Sequence, residues 1–157
     1  MIRLFYQQVL PISLETAWDF FSTPANLNEI TPQDMSFEIT SELPDKMYEG
    51  LFITYKISPI PLMKFDWCTE ITHISPLSYF VDEQRSGPYN IWHHEHHFKE
   101  VSTGVLMTDL LHYDIGKGLL GKIAGSLFVH QKVSSIFEYR KKKLFTIFPT
   151  IPDSVLC

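Results

Sequence analysis

The sequence predicts an α+β fold in which one antiparallel sheet is crossed by a single long C-terminal helix. Two observations carry that expectation. From Met35 to about Tyr113 apolar and polar residues alternate with a period of two, the pattern of strands that bury one face. Past Gly116-Lys117-Gly118 the period changes to threes and fours, and it holds to Phe148 without a proline. Strands joined by short turns pair antiparallel, and a helix with one apolar stripe must lay that stripe on such a sheet. The 157 residues are the length of one domain, expected over residues 1–148 with 149–157 as a C-terminal tail.

Each element has a local reason. Ile2 to Leu10 reads as a first strand that Pro11 ends. Ser13 opens a short helix through Phe21, because its hydroxyl can accept from a free N–H of the first turn, and Leu14, Ala17, Trp18 and Phe21 give that helix an apolar side. Thr23-Pro24 starts a second short helix, Pro24 to Ile30, since proline at the first helical position sacrifices only an N–H that lacks a partner there. Met35 to Ser41, Leu51 to Ser58 and Met63 to Ile74 are the next strands. Leu51, Ile53, Tyr55 and Ile57 share one face of theirs, as do Phe65, Trp67, Thr69 and Ile71. Tyr79 to Ser86 and Ile91 to Val101 follow around Gly87-Pro88. Thr103 to Ile115 comes last, after a tight Ser102-Thr103-Gly104 turn in which glycine takes a positive φ.

The C-terminal helix is expected over Leu119 to Phe148, with Leu119, Ile123, Leu127, Val133, Phe137, Arg140 and Leu144 recurring at helical spacing. Gly121, Ala124, Gly125 and Ser126 make its first half thin. Glycine costs about 1 kcal/mol per site in a helix, so either close backbone approach or room for a ligand lies behind the two glycines.

Composition excludes several classes. Thirteen Lys+Arg against 18 Asp+Glu leave a net charge of −5, without the basic footprint of a nucleic-acid binder. The one basic cluster, Arg140-Lys141-Lys142-Lys143, sits near the end of the predicted helix, where cations complement the helix dipole. Cys68 and Cys157 form no metal or disulfide motif. No stretch approaches the ~18 apolar residues of a membrane span and no signal-peptide core is present, so a cytoplasmic protein without an integral membrane segment is expected. Oligomeric state leaves no mark in the sequence. Aromatic residues make up 14% of the chain, enough to line a pocket as well as fill a core. A curved sheet around one helix leaves a hollow, and a concave aromatic-lined hollow is the default ligand site.

Four runs carry a further reading. They are Trp18-Asp19-Phe20-Phe21 with Pro24-Ala25-Asn26-Leu27; Phe80-Val81-Asp82-Glu83-Gln84 with Gly87-Pro88-Tyr89; Trp92-His93-His94-Glu95-His96-His97-Phe98; and Asp109-Leu110-Leu111-His112-Tyr113 leading into Gly118-Leu119-Leu120-Gly121. Over residues 1 to 147 the chain resembles the START-like, or helix-grip, superfamily, also called SRPBCC, and most closely its bacterial polyketide-cyclase-like branch. The resemblance implies a curved antiparallel sheet of about six to seven strands wrapped round the C-terminal helix, with two short helices after strand 1. It implies an apolar cavity for a small hydrophobic or amphipathic molecule such as a lipid, polyketide or sterol. It does not imply one chemistry, because this fold hosts transporters, cyclases, hydrolases and binding proteins.

Four of the seven histidines fall within five residues. In a strand Trp92, His94, His96 and Phe98 point one way, assigned to the hollow, while His93, Glu95 and His97 point to solvent. A turn centred on Pro88 sets Asp82 opposite His94 and Phe80 opposite His96, and a turn at Ser102-Thr103 sets His96 opposite Asp109 and Phe98 opposite Met107. The expected ligand site therefore has Tyr55, Trp67, Phe80, Trp92, Phe98, Met107 and Leu111 as its wall. Asp82, Gln84, His94, His96 and Asp109 are its polar contacts.

Three roles suit that polar network: a structural one, the polar end of a binding cavity, or catalysis by a cofactor-free cyclase, dehydratase or hydrolase. In the last, Asp82 or Asp109 would support His94 or His96 as general base. A filled hollow would instead leave an interaction module. His94-Glu95-His96 with Glu100 spells H-x-H-x-x-x-E, which looks like half of a cupin metal motif, but the second half is absent. Neither a metal nor another cofactor is therefore assigned. Gly116-x-Gly118-x-x-Gly121 has dinucleotide-loop spacing but follows an antiparallel strand with no βαβ unit after it, and reads as a strand-to-helix bend.

Overall fold

The computed structural model describes residues 1–60, 63–116 and 126–149. Its elements are β1 (Ile2–Leu10), α1 (Leu14–Phe21), β2 (Glu38–Ile39), β3 (Phe52–Ile60), β4 (Met63–Ser75), β5 (Tyr79–Ser86), β6 (Ile91–Val101), β7 (Gly104–Asp114) and α2 (Ser126–Ile147). Ser13 caps α1, its hydroxyl accepting from the Thr16 N–H at 3.1 Å. Among the described residues the strands form one seven-stranded sheet in the order β1-β7-β6-β5-β4-β3-β2. Every pairing in it is antiparallel. The fold is α+β of the helix-grip type. Register follows the turns: Asp82 pairs with His94, Phe80 with His96, His96 with Asp109 and Phe98 with Met107.

The register of β4 against β5 shifts twice, between Cys68 and Thr69 and between Ile71 and His73. Each shift adds local twist and bends the strand that carries it. On α2 the inward residues are Val129, Val133, Phe137 and Leu144, all buried. The Phe137 ring stacks on Tyr6 of β1 at 4.8 Å, and the Tyr113 hydroxyl meets His130 Nδ1 at 2.8 Å. Two apolar clusters result. One joins Ile53, Tyr55, Trp67, Ile71, Leu111 and Phe137; the other joins Leu10, Ala17, Phe21, Phe80, Phe98 and Met107 under α1.

Four expectations need correction. The strand expected over Met35 to Ser41 shrinks to Glu38–Ile39, because Met35 closes a 3-10 turn, Gln33–Met35, and Ser36 then turns left-handed at φ 45°. The helix expected over Pro24 to Ile30 is a 3-10 turn, Pro24–Asn28. Leu127 is 70% exposed: it precedes Val133 by six residues, a rotation of roughly 240°, so it cannot share that residue's face. Arg140 does not join the lysines after it at the surface; its side chain turns inward. The predicted helix start with Leu119, Gly121, Ile123, Ala124 and Gly125, and the tail with Cys157, lie outside the described residues. No helix among the described residues is long and apolar enough to cross a membrane.

Candidate functional site

Three adjacent strands aim four titratable side chains at one point: Asp82 from β5, His94 and His96 from β6, and Asp109 from β7. The period of two puts both histidines on the inner face, where His94, His96 and Asp109 are buried. The hydrogen bonds run diagonally across the register rather than straight along it. His94 Nε2 donates to Asp109 Oδ1 at 3.0 Å, and His96 Nε2 to Asp82 Oδ2 at 2.9 Å. Diagonal neighbours on a sheet lie within reach of side chains this long. His94 Nδ1 lies 3.4 Å from Asp82 Oδ2, closing a ring of four groups. His96 Nδ1 lies 3.0 Å from Asp109 Oδ1 but off the line of an N–H···O bond, so that contact is one of charge.

Packing holds the imidazoles in place. His96 stacks on Phe80 at 4.2 Å, His94 meets the edge of Phe137 at 5.4 Å, and the two rings lie 3.8 Å apart. Their protonation preferences diverge. Burial and the neighbouring His96 lower the pKa of His94 despite its bond to Asp109. Burial also acts to lower His96, but its contacts with Asp109 and Asp82 outweigh burial and raise it. For both carboxyls burial acts upward and is outweighed. The histidines hold Asp109 well below the carboxylate range, and His96, His94 and Arg140 lower Asp82. The cluster thus sets two carboxylates around a His96 shifted toward the imidazolium and a His94 shifted toward the neutral imidazole.

Asp82, His94 and His96 also line a cavity of about 120 Å³ at the junction of the two apolar clusters. Of the residues expected on its wall, Tyr55, Phe80 and Trp92 are there; the Tyr55 hydroxyl pairs with Thr69 Oγ1 at 3.0 Å. Trp67, Phe98, Met107 and Leu111 are core residues behind it, and Asp109 stands behind the histidines. Gln84 does not join the cluster. Its side chain clamps the β5–β6 connection, donating to the Tyr89 carbonyl at 2.7 Å and accepting from the Tyr89 N–H at 3.2 Å. His93 and His97 face outward and bond Glu83 and Glu95, as the strand parity requires. Glu100, the third member of the cupin-like pattern, is exposed.

The wall missed in the sequence is the far one. Phe20, Phe21, Asn26, Leu27 and Ile30 come from α1 and the turn after it, Met47 from the loop before β3, and Arg140 from α2. Arg140 had a legible signal: it falls on the helical stripe with Phe137 and Leu144. The loop residues had none, because only the folded turn brings them there. Arg140 lies over the Phe137 ring at 5.4 Å, and its buried Nε has no hydrogen-bond partner among the described residues.

No protein-family model matches the chain, and no curated protein matches it. Solved structures do. Protein CV1439 from Chromobacterium violaceum superposes with a TM-score of 0.70 at 12% identity, over 96% of this chain and 100% of that one. Ginseng major latex-like protein 151 from Panax ginseng gives 0.63 at 11% identity, over 95% and 98%. DynU16, a protein of the dynemicin biosynthetic locus, gives 0.58 at 11% identity, over 94% of this chain and 48% of that one. At these identities the likeness is one of fold, shared with a bacterial and a plant protein.

Proposed function

We propose that this protein binds a compact hydrophobic or amphipathic molecule in the cavity, with an acidic or carbonyl group of the ligand directed at Arg140. One observation carries the reading: a largely apolar cavity is lined by Arg140, whose buried guanidinium Nε has no partner among the described residues. Buried donors are normally paired, so an acceptor on the ligand supplies what the protein leaves open. The volume limits the ligand. About 120 Å³ is close to an engineered cavity of ~150 Å³ that holds benzene, and below the ~300 Å³ of ordinary ligand pockets. The enclosed part is therefore ring-sized. A lipid, sterol or polyketide enters by one end only, past the half-exposed rim of Asn26, Leu27 and Met47. The resemblance to the polyketide-cyclase-like branch, with DynU16 among the fold neighbours, supports an aromatic or polyketide-like ligand.

Native mass spectrometry of the protein as purified reads any retained ligand. Calorimetry with benzoate and 2-naphthoate, against the corresponding alcohols, then tests the site. Binding of the acids is expected, together with its loss in Ile71→Trp, which fills the cavity. In Arg140→Met the preference for acid over alcohol falls about tenfold, the size of a charge-assisted hydrogen bond. Absence of binding in the wild type, or unchanged binding in a folded Ile71→Trp protein, defeats the proposal.

A further inference from the structure

The same wall holds an arrangement that an organic ligand does not explain. We propose that Asp82, His94 and His96 bind a divalent first-row transition metal such as zinc or iron(II). Asp109 stands behind them, hydrogen-bonded to His94 and facing His96 through charge alone. One donor atom from each of the three residues lies within 4.8 Å of the others. Asp82 Oδ2 is 2.9 Å from His96 Nε2 and 3.4 Å from His94 Nδ1. With metal–nitrogen and metal–oxygen bonds of about 2.0–2.2 Å, neighbouring ligands lie about 2.9 Å apart at a right angle and about 3.4 Å apart at the tetrahedral angle. The longer contact is poor as a hydrogen bond and right as a ligand separation.

The nitrogens on the other side of the rings support the same geometry. His94 Nε2 and His96 Nδ1 both lie 3.0 Å from Asp109 Oδ1. A metal-bound histidine characteristically gives its second N–H to a carboxylate, which fixes tautomer and ring orientation. Here Asp109 takes that bond from His94 and sets its charge beside the outer nitrogen of His96. Stacking on Phe80 and the edge of Phe137 hold those rings before any ion arrives. With both imidazoles neutral, the two carboxylates and Arg140 leave one net negative charge to face a dication. The three ligands line the cavity and Asp109 does not, so the remaining coordination positions open toward bound molecules. Three protein ligands with open positions are the pattern of reactive rather than structural metal sites. The histidine spacing was visible in the sequence, but its third ligand is Asp82 from the next strand and not Glu100.

Protein made without a histidine tag is stripped with EDTA and titrated with Zn²⁺ by calorimetry, with metal content read by mass spectrometry; Co²⁺ in place of zinc reports coordination through its visible absorption. One equivalent of metal is expected, unaffected in His93→Ala/His97→Ala, which removes the outward histidines. Affinity falls about 10–100-fold in Asp109→Asn, the usual effect of losing an outer carboxylate. Asp82→Asn and His94→Ala lose stoichiometric binding; should His94→Ala fail to fold, Asp82→Asn, at a partly exposed position, decides alone. No stoichiometric uptake by the wild type, or uptake that survives Asp82→Asn and vanishes in His93→Ala/His97→Ala, overturns the inference. Neither readout needs the organic ligand, so a failure here leaves the cavity proposal standing, and the converse holds.

Discussion

Replacing Asp109 by asparagine separates the charge of the buried cluster from its shape. The amide keeps the volume and can still accept from His94 Nε2, but the negative charge 3.0 Å from His96 Nδ1 is gone. At an effective dielectric constant near 20 the lost attraction is about 5–6 kcal/mol. Part of it is returned because a carboxylate no longer has to be desolvated, and His96 can shed its proton. The net cost expected is about 3–5 kcal/mol, the range for breaking one side of a buried pair. Urea unfolding followed by tryptophan fluorescence, with EDTA present to keep the protein metal-free, measures it as a lower midpoint at unchanged slope. The companion double variant with His96→Gln should be non-additive by about 1–3 kcal/mol, since the two residues share one interaction. A cost below about 1 kcal/mol, or strict additivity, refutes the account of a charge-balanced cluster.

Stability of the metal-free protein should peak near about pH 6.5. The lowered pKa of His94 contributes stability above the unfolded value that is lost as pH falls, and the raised pKa of His96 contributes stability below it that is lost as pH rises. The depressed Asp82 and Asp109 add a further acid loss that starts near about pH 4, so urea midpoints that climb steadily through pH 8 would contradict the assignment. Gln84→Ala removes two hydrogen bonds to Tyr89 and should cost about 1–3 kcal/mol. Gly87→Ala, whose Cβ would sit 2.5 Å from Gln84 Oε1, should lower the melting temperature in the same sense by displacing that side chain; an unchanged melting temperature in both variants removes the clamp role. Gly104→Ala should destabilise by more than about 1 kcal/mol, because the residue sits at φ +132° with the Leu10 carbonyl oxygen 2.1 Å from its would-be Cβ; a stabilised protein in thermal melts would show the strain is absent.

Much of this molecule is local and was therefore legible. Alternation in β1, β6 and β7 reports one buried face, and that face is a property of neighbouring residues. The turn at Pro88 and the Ser102-Thr103-Gly104 turn set the register arithmetic, so Asp82 beside His94 and Asp109 beside His96 followed from counting. What counting could not reach is set by side-chain length and by distant chain. The diagonal His94–Asp109 and His96–Asp82 bonds arise because each carboxylate reaches past its own pair. The failure at Met35 to Ser41 came from one left-handed residue, Ser36, which interrupts a pattern that looked like a strand. Period alone assigned Trp67, Phe98, Met107 and Leu111 to the cavity, but it reports the buried face and not which part of that face stays open. That distinction belongs to the tertiary structure, because the opposite wall is built from Asn26, Leu27, Met47 and Arg140. Sequence by itself determined the sheet, its inner face, the helical stripe that holds Arg140 and four of the five polar groups assigned to the hollow; only packing decided that the fifth, Gln84, turns to the hairpin, and that the hollow shrinks to the size of a ring.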